Sequence, residues 1–170
     1  CDVASEITGE GVGAVDILRM TLNTLYALGR GLCPSAQIKA VFELRAAGYA
    51  GYMPEVTKCS KCGNEQPELS YLDVMNGRIL CAGCMRAGDT KPVAGVYEDT
   101  ERERSILIPL SNGSLAAIRF SLFALPERMF SFRVTDASAL GEFSRAAEEY
   151  LLNHLERGFD SLDFYRAVAL

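Results

Sequence analysis

Two Cys-x-x-Cys steps, Cys59-Ser60-Lys61-Cys62 and Cys81-Ala82-Gly83-Cys84, stand eighteen residues apart and narrow the folds open to this chain. The spacing fits a C-x2-C, C-x2-C zinc pattern. Zinc favours four tetrahedral ligands, and two residues between thiolates let one tight turn aim both sulfurs at one point. Gly63 and Gly83 give such turns conformational freedom. Strand-like runs over 69–75 and 78–81 flank Asn76-Gly77, a dipeptide that signals a two-residue type I′ hairpin. The hairpin would return the second pair of cysteines to the first. Four thiolates would close the shell of one structural zinc ion, leaving no position for water or substrate. A redox dithiol or disulfide and an iron–sulfur cluster are the competing readings. A thioredoxin-like Cys-x-x-Cys needs a βαβ context that the flanking sequence does not supply. Cys1 and Cys33 have no partner pattern and read as ordinary thiols.

Around this insert the periodicity is helical. A helix is expected over 14–30, with Val15, Leu18, Leu22, Leu25, Tyr26 and Leu28 as its buried stripe. Gly29, Gly31 and Pro34 end it, and Ser35 is placed as the N-cap of a second helix over 36–47. The short link predicts an αα-hairpin. Ser111-Asn112-Gly113-Ser114 caps a core helix over 115–125, which Pro126 stops. Asp136 and Ser138 offer caps for a long helix reaching Arg157, with Gly158 after it, and Ser161 for a last one over 162–168. The stretch 88–104, with its charge run 98–104, reads as a solvated loop. The expected fold is mainly α: a helical domain, 1–57 and 90–170, with an inserted zinc-ribbon-like β-hairpin module, 58–89.

No residue set reads as catalytic. A single histidine, His154, excludes a convincing Ser/His/Asp set, and its place on the apolar side of a helix suggests packing. Phe120, Phe123, Phe130 and Phe132 with Met129 read as core rather than as a base-stacking platform. Seventeen basic against twenty-two acidic residues give a net charge of −5, which disfavours a domain gripping nucleic acid over its whole surface. In the insert, Lys58, Lys61, Arg78 and Arg86 are nearly cancelled by Glu55, Glu65, Glu68 and Asp73. Arg128, Arg133, Arg145 and Arg157 read as solvated charges. No apolar run reaches the ~20 residues needed to cross a bilayer. With no secretory pattern and cysteines paired as metal ligands, a reducing, cytoplasmic setting is expected.

Several motifs taken in order resemble the DNA repair protein RecO family. They are Phe42-Glu43-Leu44-Arg45 with Gly48-Tyr49, then the Cys-x-x-Cys-Gly step, then Arg78-Ile79-Leu80-Cys81-Ala82-Gly83-Cys84. Glu149-Tyr150-Leu151-Leu152-Asn153-His154-Leu155 and Ser161-Leu162-Asp163-Phe164 complete the set. The resemblance is collinear over nearly the whole chain. RecO proteins carry an N-terminal OB-fold before this region; none is recognisable here, so the chain, which opens on Cys1 rather than Met, is expected to be the C-terminal part of such a protein.

The resemblance implies a non-enzymatic mediator of recombinational repair. Such proteins anneal complementary strands and, with RecR, help load RecA onto single-stranded DNA coated by SSB. It also implies contact with the acidic, Phe-ending SSB tail through an apolar, basic groove. Some members carry basic residues just before Phe-Glu-Leu, where this chain has Ala40-Val41, with Lys39 one step earlier. Lys39, Arg45 and Arg19 are the candidate partner-binding residues, and DNA contact is expected mainly through the OB-fold. The alternatives are a zinc-ribbon adaptor that binds protein without a DNA role, and a dithiol redox enzyme.

Overall fold

The computed structural model describes residues 2–7, 13–88, 106–155 and 159–168. The expected solvated loop and its charge run fall, over 89–105, outside the described residues, as do Cys1, Arg157 and Gly158. The described elements run α1 (Asp2–Ile7), α2 (Ala14–Arg30), α3 (Ser35–Tyr49), β1 (Glu55–Cys59), β2 (Leu69–Asp73), β3 (Arg78–Cys81) and α4 (Ala82–Gly88). They continue as β4 (Leu107–Ser111), α5 (Asn112–Phe123), a 3₁₀ turn (Pro126–Arg128), α6 (Ala137–Leu155) and α7 (Asp160–Val168). The architecture is mainly helical with one small sheet that carries the cysteines, as expected. No described helix is long and apolar enough to cross a membrane.

The αα-hairpin forms, but α2 turns its other face inward. Ile17, Met20, Thr24 and Ala27 are buried, whereas Val15, Leu18, Leu22, Leu25, Tyr26 and Leu28 are 48–69% exposed. The helix is apolar around most of its circumference. Packing against α3 and the 3₁₀ turn selects the inner face, and the inner row is the less hydrophobic of the two. Gly31 closes α2 in the left-handed conformation, φ 58°, with its N–H bonded to the Leu28 carbonyl at 3.2 Å. Pro34 rather than Ser35 occupies the N-cap of α3, without a side-chain cap bond. The side chains that cap as expected are Ser111, whose Oγ accepts from the Ser114 N–H, and Asp136, whose Oδ2 accepts from the Ala139 N–H at 2.9 Å.

The sheet has the order β1-β3-β2-β4. Strands β2 and β3 form the expected antiparallel hairpin, but the pair Asp73↔Arg78 closes a four-residue loop rather than a two-residue one. Asp73 accounts for the longer loop: its carboxylate accepts from the backbone and side-chain N–H groups of Asn76 and from Arg78 Nε, at 3.3, 2.9 and 3.2 Å. Two strands lie beyond the hairpin reading. β1 pairs parallel to β3, and β4 pairs antiparallel to β2, with Tyr71 opposite Pro109. A proline fits there because, among the described strands, β4 pairs with β2 alone and uses no N–H on its outer side.

Sheet and helices share one core. Val56, Leu72, Ile79, Ile108 and Leu110 pack into the same cluster as Leu44, Ile118, Phe143, Tyr150 and Leu151. Among the phenylalanines, Phe132 packs on Phe120 and Phe143, with ring centres 4.7 and 6.4 Å away, as expected, but Phe123 is 55% exposed and does not join the core. His154 is likewise packed: Nδ1 lies 3.0 Å from the Tyr150 carbonyl, and the ring leans on Tyr52 and Tyr150. Arg119 on α5 ties the sheet to the helices, donating to the Val56 and Thr57 carbonyls at 2.7 and 2.8 Å.

Candidate metal centre

Cys59 is the last residue of β1 and Cys81 the last of β3, so the parallel β1–β3 pairing brings their sulfurs to one end of the sheet. Cys62 lies within a turn in which the Gly63 N–H bonds the Cys59 carbonyl at 2.9 Å. That turn requires φ +74° at Gly63, a conformation L side chains rarely adopt. Cys84 lies in the first turn of α4, immediately after β3. The four Sγ atoms all lie within 4.8 Å of one another, and Cys62 and Cys81 are 3.6 Å apart. Four sulfurs around one zinc ion would sit about 3.8 Å apart if each bond were about 2.3 Å, so the cluster has the size of a tetrahedral thiolate site.

The backbone is arranged for charge on sulfur. The Cys81 N–H points at Cys59 Sγ (3.3 Å) and the Cys84 N–H at Cys81 Sγ (3.4 Å). Burial resists ionisation of Cys59, but backbone N–H groups of Cys81, Cys62 and Lys61 hold its thiol down to about 6. Cys84 is pushed up to about 12, first by its hydrogen bonds with Cys62 and Cys81. Without a cation, one thiol of such a cluster gives up its proton readily and another holds it hard. A bound cation reverses that resistance. The donor set is sulfur alone, which suits zinc or an iron–sulfur cluster rather than a hard cation. Cys33, by contrast, is buried under Ala27 and Ile38, and desolvation raises its pKa.

The structure does not gather the three basic candidates at one place. Arg19 is on α2, half exposed, 3.6 Å from Asp16. Arg45 is buried, donates to the Ala124 carbonyl, and lines a small cavity with Gly48, Tyr49, Met53 and Leu122. Lys39 lines a different and more apolar pocket of about 180 Å³, between α3, α6 and α7, with Phe42, Glu43, Leu151 and Tyr165 among its walls. Its Nζ lies 2.6 Å from both Glu43 Oε1 and Glu148 Oε2. Arg166 on α7 pairs with the other oxygen of Glu148. Glu43, Glu148 and Arg166 were not singled out as site residues in the sequence. The one local signal was a glutamate four residues after Lys39 on the same helix.

The profile of the family described as Recombination protein O C terminal matches residues 1–163. A protein of Acetivibrio thermocellus named DNA repair protein RecO is 27% identical over 167 residues, 98% of this chain and 60% of its own length. One of Caldicellulosiruptor saccharolyticus with the same name is 32% identical over 83 residues, 49% of this chain and 34% of its own. The chain thus spans about three-fifths or less of these relatives. No solved structure matches it.

Proposed function

The chain belongs to the RecO family, through that family's C-terminal region, and we propose that it is the metal-stabilised, partner-binding part of a recombinational DNA repair mediator. The carrying observation is the family match over 1–163 on a fold that assembles all four cysteines. In this reading the whole protein anneals complementary strands and, with RecR, helps load RecA onto SSB-coated single strands in the cytoplasm. It does so by binding and positioning, without making or breaking covalent bonds. The net charge of −5 supports placing most of the DNA grip on an OB-fold elsewhere in the protein.

Cys59, Cys62, Cys81 and Cys84 would hold one zinc ion, which supplies a cross-link between the end of β1 and the β3–α4 junction. This chain's own part is to aim the sulfurs and to shield two of them: Cys59 and Cys81 are buried and pack with Leu80, while Cys62 is exposed. That satellite cluster supports treating 58–89 as a metal module within the helical region formed by 1–57 and 90–170.

The pocket beside Lys39 is the place proposed for an acidic, Phe-ending SSB tail. Phe42, Leu151 and Tyr165 offer an apolar cavity for the phenyl ring, and Lys39 a charge for a carboxylate. Arg19, exposed on α2 beside Asp16 and away from this pocket, is proposed as a separate partner contact. Arg45, held against Ala124, is assigned to supporting α3 behind these contacts. The test is annealing and single-strand binding by the zinc-loaded, full-length protein at low and high salt. Salt-sensitive binding with annealing supports the mediator. A protein that takes up the tail peptide yet neither binds nor anneals DNA at low salt is a zinc-ribbon adaptor instead.

A further inference from the structure

The Lys39 pocket contains a charge arrangement that an anion-binding site does not need. Glu43 is 5% exposed and lines the pocket, and only one of its carboxyl oxygens is used. Oε1 meets Lys39 Nζ at 2.6 Å, whereas Oε2 is buried with no hydrogen-bond partner among the described residues. An unsatisfied buried carboxylate oxygen is costly, and it is relieved by a ligand that donates to it or by a proton on it.

Among the described side chains, the charged groups facing Glu43 come from three helices. They are Lys39 on its own helix, Glu148 on α6 and Arg166 on α7. Tyr165, also on α7, lies with its ring centre 5.7 Å from Lys39 Nζ. From α1, only Val3 lines the pocket among the described side chains. With Glu43 ionised, Lys39 and Arg166 face Glu43, Glu148 and, on the outer side of Arg166 at 3.5 Å, Asp163, so the described cluster carries one net negative charge. A carboxylate arriving at Lys39 would then meet a second carboxylate already bonded to the same ammonium group. With Glu43 protonated the described cluster is neutral, and the carboxyl presents a donor in place of a repelling oxygen.

Resting on the tail-binding reading above, we propose that the pocket binds an anionic peptide terminus together with one proton, taken from solvent onto Glu43. Glu43 is thus a specificity residue: it admits a carboxylate when protonated and disfavours it when ionised. Burial is the first cause of its readiness, and it pushes the carboxyl up to about 7 against the pull of Lys39. Glu148 stays ionised beside it. Burial opposes this, but hydrogen bonds and charges from Lys39 and Arg166 hold its pKa down.

The experiment measures the affinity of zinc-loaded, full-length protein for an acidic peptide ending in Phe with a free carboxylate, at pH 6, 7 and 8. Peptide carboxyls do not titrate in that range. Affinity is expected to fall about tenfold from pH 6 to pH 8, as protonation of a group with a pKa near 7 becomes limiting. Glu43→Gln is expected to abolish that fall and to bind at pH 8 about as well as the parent does at pH 6. Calorimetry of the unmodified protein at pH 8, in two buffers of different ionisation enthalpy, should show close to one proton taken up per peptide. Affinity that is flat with pH in the unmodified protein, or no proton uptake, overturns the proposal while leaving tail binding intact. Absence of peptide binding at every pH overturns both.

Discussion

The Tyr150 hydroxyl on α6 closes over Gly77 in the β2–β3 loop, so that a Cβ built on Gly77 would lie 2.8 Å from Oη. Gly77 also has φ +60°. This contact seats the hairpin on the helices, and its N-terminal partner is close by: the Glu55 N–H bonds the Gly77 carbonyl at 2.7 Å. Gly77→Ala is therefore expected to destabilise the protein by about 1–3 kcal/mol, through the clash and the left-handed backbone together. In Tyr150→Phe the clash is relieved but the backbone strain remains. A double-mutant cycle by denaturant unfolding should show the two changes to be less than additive. Strict additivity would mean that Tyr150 does not press on Gly77.

Cys62 offers the cleanest test of the metal site, because it is exposed and its loss removes little packing. Cys62→Ser should lower zinc stoichiometry and drop the melting temperature, since metal binding of this type contributes on the order of 10 kcal/mol to the fold of a small module. Chelation should produce the same loss in the parent protein and free four thiols for titration. One bound zinc per chain with those four thiols protected would exclude a redox dithiol. A metal-free protein with a reversible disulfide would exclude the zinc assignment.

Glu43 also gives stability a pH dependence of unusual sign. Its carboxyl moves from an ordinary 4.5 to about 7 on folding, so the folded state holds the proton more tightly. Its contribution is complete below about pH 4.5 and falls as pH rises towards 7, by a few kcal/mol at most. Glu142 runs the opposite way. Burial would raise its pKa, but hydrogen bonds from Ser111 and Ser114 outweigh it, so its contribution is present above the ordinary value and is lost on acidification. The stability of Glu43→Gln relative to the parent should consequently rise between pH 5 and pH 7.5, as followed by denaturant midpoints. A constant difference would show that Glu43 keeps an ordinary pKa in the fold.

The cysteine cluster was legible in the sequence because it is local chemistry. Two turns with a fixed ligand spacing say where the sulfurs must go before anything is known of the rest. The helices were legible for a similar reason, since capping residues such as Ser111 and Asp136 act on their own next turn. β4 was not, because Pro109 speaks against a strand, and it is tolerated only through the edge position that the whole sheet assigns to it. Nor was the charge cluster of the pocket. Lys39 and Glu148 are 109 positions apart, and only the packing of α3 against α6 and α7 brings them together.

The inward face of α2 poses the same problem within one helix, and it carries the last prediction. Periodicity reveals a stripe, but a helix with two apolar rows does not disclose which one meets the core. Leu22 lies on the heavier row and is 56% exposed, while Met20, two positions away, is 1% exposed and belongs to the main core. In the 170-residue chain, Leu22→Ser should change stability by no more than about 0.5 kcal/mol, as for surface sites in general. Met20→Ala should cost about 2–5 kcal/mol, because it removes a buried side chain and leaves a cavity the neighbours only partly fill. Thermal or denaturant unfolding of the two variants decides the matter. A larger loss at Leu22 than at Met20 would mean that α2 is rotated about its axis, with the stripe expected from the sequence turned inward after all.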